Sequence, residues 1–231
     1  MEQFSPSIDA CIFDLAPGFS ALSLQVQAAP VRHPETGRDA LAQACAALQQ
    51  QDFPWAEAHL AAWAEVFCRF GAKPKRTPCS AEALRKRVAR DGSLPSMDPI
   101  VDLYNSVSIR FAVPVGGENI AAYVGQPRLT RASGSEVFDT MKAGEVSLES
   151  PEAGEVIWRD DAGVTCRRWN WRQGVRTRLS TGQPQMWFVL ERLPAMPAEA
   201  LQQAGDMLEQ GIRQMMPDAV ISRALLCAAP Q

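Results

Sequence analysis

The sequence predicts a single α+β domain in which a strand-rich mixed sheet is flanked by helices. Apolar residues recur at helical spacing in the first half of the chain and again after residue 197. Between residues 120 and 193, short apolar runs alternate with turn residues, which is typical of strands. The 231 residues suffice for a sizeable core, and no composition shift divides them, so we expect one domain over 1–231.

Helices are predicted where the apolar stripe is accompanied by a start or stop signal. Asp98 followed by Pro99 is such a start, because the carboxylate can cap the helix and proline suits its first position. Gly71 is a stop after a stripe of aromatic residues. The predicted helices span residues 39–50, 55–70, 80–90, 99–113 and 197–216.

Strands are predicted at four further places. Residues 21–28 alternate apolar and polar side chains, and residues 185–193 form an apolar run. The turn sequence at residues 160–163 joins two apolar runs and predicts a hairpin, with Asp160 and Asp161 making local hydrogen bonds. The final segment, residues 219–228, is predicted to be a strand of the core.

Composition excludes several classes of protein. The net charge of −3 means that any nucleic-acid site must be a local patch. The N-terminus lacks the pattern of a secretory signal, no run is apolar enough to span a membrane, and the six cysteines are scattered, so we expect a cytoplasmic protein with reduced thiols. With two histidines and no CxxC pair, we expect no metal site and no cofactor, and His59 is interpreted as a surface or core-edge residue.

The stretch CRRWNWRQGVRTRLS at residues 166–180 concentrates five arginines and two tryptophans. As a regular strand it would place Trp169 and Trp171 on one face and Arg168, Asn170 and Arg172 on the other. We therefore expect buried tryptophans behind a ligand-binding face whose donors suit a carboxylate or phosphate. The alternatives are a solvated polar face, or exposed tryptophans that stack on bases.

Two further sets of residues are candidates for binding. Asn105 lies in a predicted helix, where its poor helix propensity suggests a specific hydrogen bond. The adjacent Gly116, Gly117 and Glu118 indicate either a close backbone approach to a ligand or a simple turn. Basic residues that are either RNA-facing or merely solvated are Lys73, Lys75, Arg76, Arg85, Arg87, Arg176 and Arg178.

The segment LPSMDPIVDLYNSVSIRFAVPVGGEN, residues 94–119, resembles the B3/B4 domain of the phenylalanyl-tRNA synthetase beta subunit. Asp102, Asn105 and Pro114 match that domain's pattern. Together with DDAGVTCRRWNWR and FGAKPK, the chain is similar to free-standing bacterial proteins of this domain type, most strongly over residues 80–193.

The resemblance implies an RNA-associated or aminoacyl-binding fold, because the synthetase domain hydrolyses tyrosine mischarged on the phenylalanine tRNA. The residues of that editing site do not carry over. Pro95 stands where the synthetase has an arginine, and Gly116 stands where it has a histidine. The synthetase's pocket glutamate has no match in the Trp-Arg-Gln-Gly-Val-Arg stretch, so only Asn105 and the general location of the pocket are implied.

Two functions follow as hypotheses. The first is binding of an aminoacyl or RNA ligand, with editing of mischarged tRNA in trans as its extension. The second is binding of a small molecule, such as an amino acid or another small anion, in a repurposed editing pocket. A dedicated hydrolase has little support, since no nucleophile motif or metal set is present, and the catalytic residues stay unassigned.

Overall fold

A computed structural model describes residues 4–228, so residues 1–3 and 229–231 of the predicted domain lie outside the described part. The described part contains two β-sheets and six α-helices. The helices are α1 Ala10–Leu15, α2 Glu35–Gln50, α3 Ala56–Arg69, α4 Ser80–Asp91, α5 Pro99–Phe111 and α6 Ala198–Met215. The strands are β1 Ser7–Ile8, β2 Ser20–Gln27, β3 Val115–Asn119, β4 Arg128–Arg131, β5 Phe138–Lys142, β6 Glu145–Glu149, β7 Val156–Arg159, β8 Val164–Arg167, β9 Arg172–Gln173, β10 Gln185–Arg192 and β11 Val220–Cys227.

The two sheets differ in topology. The smaller sheet is antiparallel throughout, with strand order β11-β2-β10-β3. The larger sheet has the order β1-β4-β7-β8-β5-β6, with β9 on β8, and is mixed because β1–β4 and β5–β8 are parallel pairs. The predicted α+β class with a mixed sheet and flanking helices is confirmed, although the strands form two sheets and not one.

Helix α5 begins as predicted. The Asp98 carboxylate accepts hydrogen bonds from the backbone nitrogens of Ile100 at 3.0 Å and Val101 at 3.3 Å. The helix ends at Phe111 because Ala112 has a left-handed backbone with φ of 44°. The capped helix holds Tyr104 and Asn105 in a defined position beside β3.

One core lies between helices α5 and α6 and the small sheet. Its buried side chains include Leu103, Val107, Phe188, Leu208 and Ile212. The helices pack closely where α6 carries glycine. At Gly211 a Cβ atom would lie 2.4 Å from Leu103 Cδ1, so the lower helix propensity of glycine is offset by a close helix–helix contact.

A second core fills the space on the other face of the small sheet. Trp63, Phe67, Trp158, Trp169 and Trp187 are buried in it. Because Trp187 belongs to β10 and Trp158 to β7, this aromatic cluster joins the two sheets, with their rings 5.2 Å apart at the centroids.

His59 lies inside the core, deeper than the sequence predicted, and has a structural role. Its Nδ1 hydrogen donates to the carbonyl of Ala112 at 2.8 Å, and its Nε2 accepts from Trp63 Nε1 at 3.2 Å and Leu193 N at 3.1 Å. Burial lowers the pKa of His59 to about 4, so the ring is neutral near pH 7.

The prediction of a regular strand over residues 164–172 is wrong. Strand β8 ends at Arg167, and the next two residues are left-handed, with φ of 47° at Arg168 and 67° at Trp169. The chain reverses, so that Arg172 pairs back with Arg167. The Glu155 carboxylate holds this turn, because it accepts from the Arg167 guanidinium at 2.9 and 2.7 Å and from the Arg168 backbone at 3.0 Å. The predicted alternation of tryptophans and arginines between two faces is therefore not formed.

Strand β11 was predicted to be in the core and is instead an edge strand of the small sheet. Its side chains are largely exposed, with Val220 and Leu225 among the exposed apolar residues. Within residues 4–228, no helix has the length and apolar character that crossing a membrane requires.

Candidate functional site

A cavity of about 280 Å³ lies between the two sheets. The first turn of α4 and one face of α5 close it. Its lining residues are Ser80, Ala83, Leu84, Tyr104, Asn105, Val115, Gly116, Gly117, Glu118, Trp158, Cys166, Trp169, Asn170, Trp171, Gln173, Trp187, Val189 and Glu191. A cavity of this size lies near the lower end of the range of small-molecule sites.

The walls of the cavity are mainly aromatic. Four tryptophans and Tyr104 line it, and Trp158, Trp169 and Trp187 are almost completely buried. Tryptophan rings bind apolar groups through their area and cations through their faces. The cavity therefore suits a ligand that has an apolar part and a positive charge.

Glu191 occupies one end of the cavity with its hydrogen-bonding capacity largely filled. Its Oε1 accepts from Trp158 Nε1 at 2.8 Å and from Trp169 Nε1 at 3.1 Å, while its Oε2 accepts from Asn170 Nδ2 at 2.8 Å. Burial raises the pKa of Glu191 to about 7, against the three donors, which lower it. This carboxylate joins β10 to β7 and to the turn after β8.

Glu118 has a different environment. It lies in β3 opposite Trp187, it is 4% exposed, and its Oε2 has no hydrogen-bond partner among residues 4–228. Burial raises its pKa to about 8, partly opposed by the nearby side chains of Thr177, Gln173 and Arg176. Near pH 7 most molecules therefore hold Glu118 as the neutral acid, and a cation placed beside it would favour the carboxylate.

Two more buried polar atoms of lining residues lack partners in the described part of the chain. They are Asn170 Oδ1 and Ser80 Oγ. Their residues are neighbours, because Ser80 N donates to the backbone carbonyl of Asn170 at 3.2 Å. Buried polar groups are nearly always hydrogen-bonded, so these atoms indicate where a ligand or water binds.

None of the described residues that line the cavity is Lys, Arg or His. The unpartnered buried atoms of the lining are a carboxyl oxygen of Glu118, the amide oxygen of Asn170 and the hydroxyl oxygen of Ser80, each of which can accept a hydrogen bond. Such a site binds hydrogen-bond donors and cations, and disfavours an anion, which would have no counter-charge there. Among residues 4–228, no cluster of three or more His, Cys, Asp or Glu residues is arranged to hold a metal ion.

Five of the seven sequence-predicted ligand residues line this cavity: Asn105, Gly116, Gly117, Glu118 and Asn170. The two glycines form no turn but belong to strand β3, and Gly117 is needed because a Cβ there would lie 2.8 Å from Tyr104 Cε1. Asn105 lines the cavity from α5 and is half-buried, and the specific hydrogen bond of its amide stays a prediction.

Arg168 and Arg172, the other two, are not among the lining residues. Both guanidinium groups lie over the ring of Trp171, at 4.8 Å and 5.0 Å from its centroid. The left-handed turn after Arg167 breaks the regular strand, so the predicted ligand-binding face of Arg168, Asn170 and Arg172 does not form, and only Asn170 of the three lines the cavity.

The basic residues expected to face RNA divide into two groups. Arg85 is buried and binds Asp52 and the Ile109 carbonyl, and Arg176 binds Asp160, so both have structural partners. The predicted local role of Asp160 is confirmed, because it also accepts from the backbone of Ala162 and Gly163. The exposed residues of the set are Lys73, Lys75, Arg76, Arg87 and Arg178.

Three of the exposed basic residues lie in the loop that leads into α4, beside the cavity. The loop with Lys73, Lys75 and Arg76 leads into α4, whose first residue Ser80 lines the cavity. Arg178 forms a backbone bridge with Glu118. Exposed positive charge therefore lies next to lining residues at two points of the chain.

Sequence reasoning missed Glu191 as a site residue. The available signal was a single acid in the otherwise apolar run QMWFVLERL, on the same face of the strand as Trp187 and Val189. An acid that faces inward from an apolar strand needs partners, and so marks either a polar network or a site.

The protein is an α+β domain with an aromatic cavity between two sheets, and the cavity contains two buried glutamates. A family model described as the B3/4 domain matches residues 62–223, and the chain belongs to that family.

A solved N-terminal fragment of the phenylalanyl-tRNA synthetase beta subunit from Pyrococcus horikoshii is similar over 99% of this chain, at 10% identity and a TM-score of 0.47. The chain spans 55% of that fragment's length. Comparison with curated protein sequences gives no significant match.

Proposed function

We propose that this chain binds the aminoacyl end of a charged tRNA. The aminoacyl group enters the cavity between the sheets, and the exposed basic residues contact the RNA phosphates. The observation that carries the proposal is the cavity's polarity: two buried carboxylates, unpartnered acceptor atoms and no cationic lining residue in the described chain. Membership of the B3/4 domain family supports it.

An aminoacyl ester matches that polarity better than a free amino acid does. Both carry an ammonium group, but only the free amino acid also carries a carboxylate. Inside this cavity the carboxylate would lie near Glu118 and Glu191 with no positive partner, which is costly in a buried site. Esterification to a ribose removes that charge and leaves the ammonium for Glu118.

The exposed basic residues supply the second part of the ligand contact. Lys73, Lys75 and Arg76 are exposed in the loop before α4, and Arg178 is exposed beside β3. Phosphates held by such residues release counterions, so RNA binding must weaken steeply as salt rises. The ammonium contact inside the cavity is shielded from solvent and must depend much less on salt.

A small amine that is not attached to RNA is the second candidate ligand. The observation that favours it is the engagement of Arg85 and Arg176 with internal partners, which reduces the cationic surface left for phosphates. This candidate keeps the cavity chemistry and removes the RNA contact.

Equilibrium binding of three ligands tests the proposal. They are an aminoacyl-adenosine analogue with a 3′ amide in place of the ester, the corresponding free amino acid, and tRNA that carries the same non-hydrolysable aminoacyl group. We expect the analogue to bind at least tenfold more tightly than the free amino acid, about 1.4 kcal/mol. The charged tRNA should bind more tightly than the analogue at low salt and lose that advantage as salt rises.

The triple variant Lys73→Gln, Lys75→Gln, Arg76→Gln should weaken the tRNA complex and leave the analogue's affinity unchanged. Lys86→Gln is the matched control, because Lys86 is exposed but paired with Glu82 at 2.6 Å. If the free amino acid binds as tightly as the analogue, the proposal is wrong. If the analogue binds but tRNA adds nothing, the small-amine candidate replaces it.

The ester bond of a bound aminoacyl-tRNA would lie at the cavity entrance, and editing in trans is the activity this binding would serve. A deacylation assay with correctly and incorrectly charged tRNA measures it. We expect faster release of the amino acid from a mischarged tRNA than from the correctly charged one.

A further inference from the structure

The Asn170 side chain is fixed by polar contacts at the end of the cavity that contains Glu191. It is 9% exposed, and its Nδ2 donates to Glu191 Oε2 at 2.8 Å. Its backbone is held as well, since its carbonyl accepts from Ser80 N at 3.2 Å and its N–H donates to the Arg168 carbonyl at 2.9 Å. The amide oxygen Oδ1 has no partner among the described residues.

The direction of this amide depends on Glu191. The three donors around Glu191 favour its ionised form, and an ionised carboxylate can only accept hydrogen bonds, so Oε2 requires the Nδ2 side of the asparagine amide. Rotation of the amide by a half turn would place Oδ1 against the carboxylate, with two acceptors facing each other. The indole N–H groups of Trp158 and Trp169 hold Oε1 and so keep Oε2 directed at Asn170.

We infer that Glu191 is a positioning residue that sets the polarity of its own end of the cavity. Because Glu191 accepts from Nδ2, the Oδ1 atom of Asn170 stays free to accept a hydrogen bond from a ligand. The unpartnered Oγ of Ser80 belongs to this end as well, since the Ser80 backbone is hydrogen-bonded to Asn170. This end therefore selects ligand groups that donate hydrogen bonds, such as an uncharged amino group or a hydroxyl, at a part of the ligand distant from the ammonium that Glu118 receives. The ligand part of the inference rests on the proposed function, whereas the amide orientation does not.

The substitution Glu191→Gln separates positioning from support of the fold. The glutamine carbonyl oxygen can still accept from both indole N–H groups, and its volume is almost unchanged. Its amide nitrogen then faces Asn170 and requires an acceptor, which only Oδ1 provides. The Asn170 amide should rotate by a half turn and present Nδ2 to the cavity, so that this end becomes a donor.

Nuclear magnetic resonance of the protein without ligand tests the orientation. In the wild type we expect nuclear Overhauser contacts between the Asn170 amide protons and the indole N–H protons of Trp158 and Trp169. In Glu191→Gln these contacts should disappear while the indole N–H shifts stay close to those of the wild type. The spectrum of Asn170→Ala lacks the side-chain amide signals of Asn170 and so identifies them in the wild type. Equal contacts in wild type and variant would overturn the inference, whatever ligand the protein binds.

Binding of two analogues tests the consequence for specificity. Both are 3′-amide aminoacyl-adenosine analogues that keep the ammonium: the side chain of one ends in an aromatic amino group, which donates hydrogen bonds, and the side chain of the other ends in an acetyl group, which only accepts them. Glu191→Gln should weaken the first at least tenfold and strengthen the second, with the melting temperature little changed.

In the Asn170→Ala background, Glu191→Gln should change neither affinity, because the effect passes through the amide. An unchanged preference in Glu191→Gln alone would overturn the inference. A wild type that binds neither analogue would instead contradict the proposed function, and the resonance experiment would still decide the orientation.

Discussion

The two ends of the cavity each contain a buried glutamate, and they differ in how far that glutamate is satisfied. Glu191 accepts three hydrogen bonds from Trp158, Trp169 and Asn170. Glu118 has an oxygen without a partner among the described residues, although it is just as deeply buried. A carboxylate whose two oxygens both accept hydrogen bonds within the protein stabilises the fold. A carboxylate with an unpartnered oxygen is available to bind a ligand.

The distance between these ends follows from the strand register. Glu118 lies opposite Trp187, and Glu191 is four residues further along β10 on the same face. At ~3.3 Å per residue, the two backbone positions lie ~13 Å apart along the sheet. The two carboxylates therefore act on different parts of a ligand, and variants at one end should leave the other end intact.

The largest difference should appear when each carboxylate is deleted. Glu191→Ala leaves three buried donors without an acceptor. At roughly 1–3 kcal/mol for each donor, we expect the free energy of unfolding to fall by about 5 kcal/mol. Glu118→Ala removes a carboxylate that has an unpartnered oxygen, so it leaves fewer donors unsatisfied and should cost less than Glu191→Ala. Urea unfolding of both variants measures this, and equal losses would remove the distinction between the two ends.

The aromatic walls should show a similar asymmetry. Trp169 is fully buried against Phe19 and Trp63, with ring centroids at 4.9 and 5.2 Å, so Trp169→Ala should cost about 3–5 kcal/mol. Trp171 is only half-buried and lines the cavity, so Trp171→Ala should destabilise the fold less than Trp169→Ala does and should weaken ligand binding. Thermal unfolding and analogue titration of the two variants test this. If Trp171→Ala proves as destabilising as Trp169→Ala, Trp171 belongs to the core.

The pH dependence of stability should report both glutamates. Their folded pKa values, about 8 for Glu118 and about 7 for Glu191, lie above the unfolded value of about 4.3, so the unfolded chain binds fewer protons. Stability should fall as pH rises to about 8, by at most about 1.4 kcal/mol per pH unit for each group. His59 has the opposite effect below about pH 6.5, because its folded pKa of about 4 lies below its unfolded value. In that range His59 makes the stability rise as pH rises.

When the free energy of unfolding is measured from pH 6.5 to 8.5, it should fall for the wild type and fall less for Glu118→Gln. The difference between the two curves isolates Glu118, because Glu191 is present in both. Parallel curves would show that Glu118 is not buried as a neutral acid.

The smallest effect is expected outside the cavity. Arg168 and Arg172 lie over the Trp171 ring, and such contacts contribute about 0.5–1 kcal/mol at exposed sites. Arg172→Ala should therefore change stability by less than about 1 kcal/mol and leave analogue affinity within a factor of about two. A large loss of affinity in Arg172→Ala would show that this arginine contacts the ligand after all.

Local signals in the sequence were sufficient for most of the fold. Asp98 and Pro99 start α5 as capping chemistry predicts, and the alternating residues 21–28 correspond to β2. The turn at Arg168 and Trp169 could not be predicted, because nothing local requires these residues to be left-handed. The turn depends on Glu155, which is twelve residues before Arg167 and holds it only in the folded chain.

The candidate site was predictable only in part for the same reason. Asn105 and Glu118 follow from the family-like segment, whereas the arginines were assigned through a strand that does not form. Glu191 was missed because its three donors come from β7 and from the turn after β8, far apart in the sequence. Buried polar networks are properties of tertiary packing, and a strand pattern alone cannot show which side chains meet.

Isothermal titration calorimetry tests the central claim, that Glu118 receives a cationic ligand group, most directly. The ligand is phenethylamine, which stays protonated throughout, titrated at pH 7 in two buffers that differ in ionisation enthalpy. Because Glu118 has a pKa of about 8, binding of the ammonium should release about one proton for each ligand. Glu118→Gln should bind at least tenfold more weakly and release none. Equal heats in both buffers, with unchanged affinity in Glu118→Gln, would contradict the account.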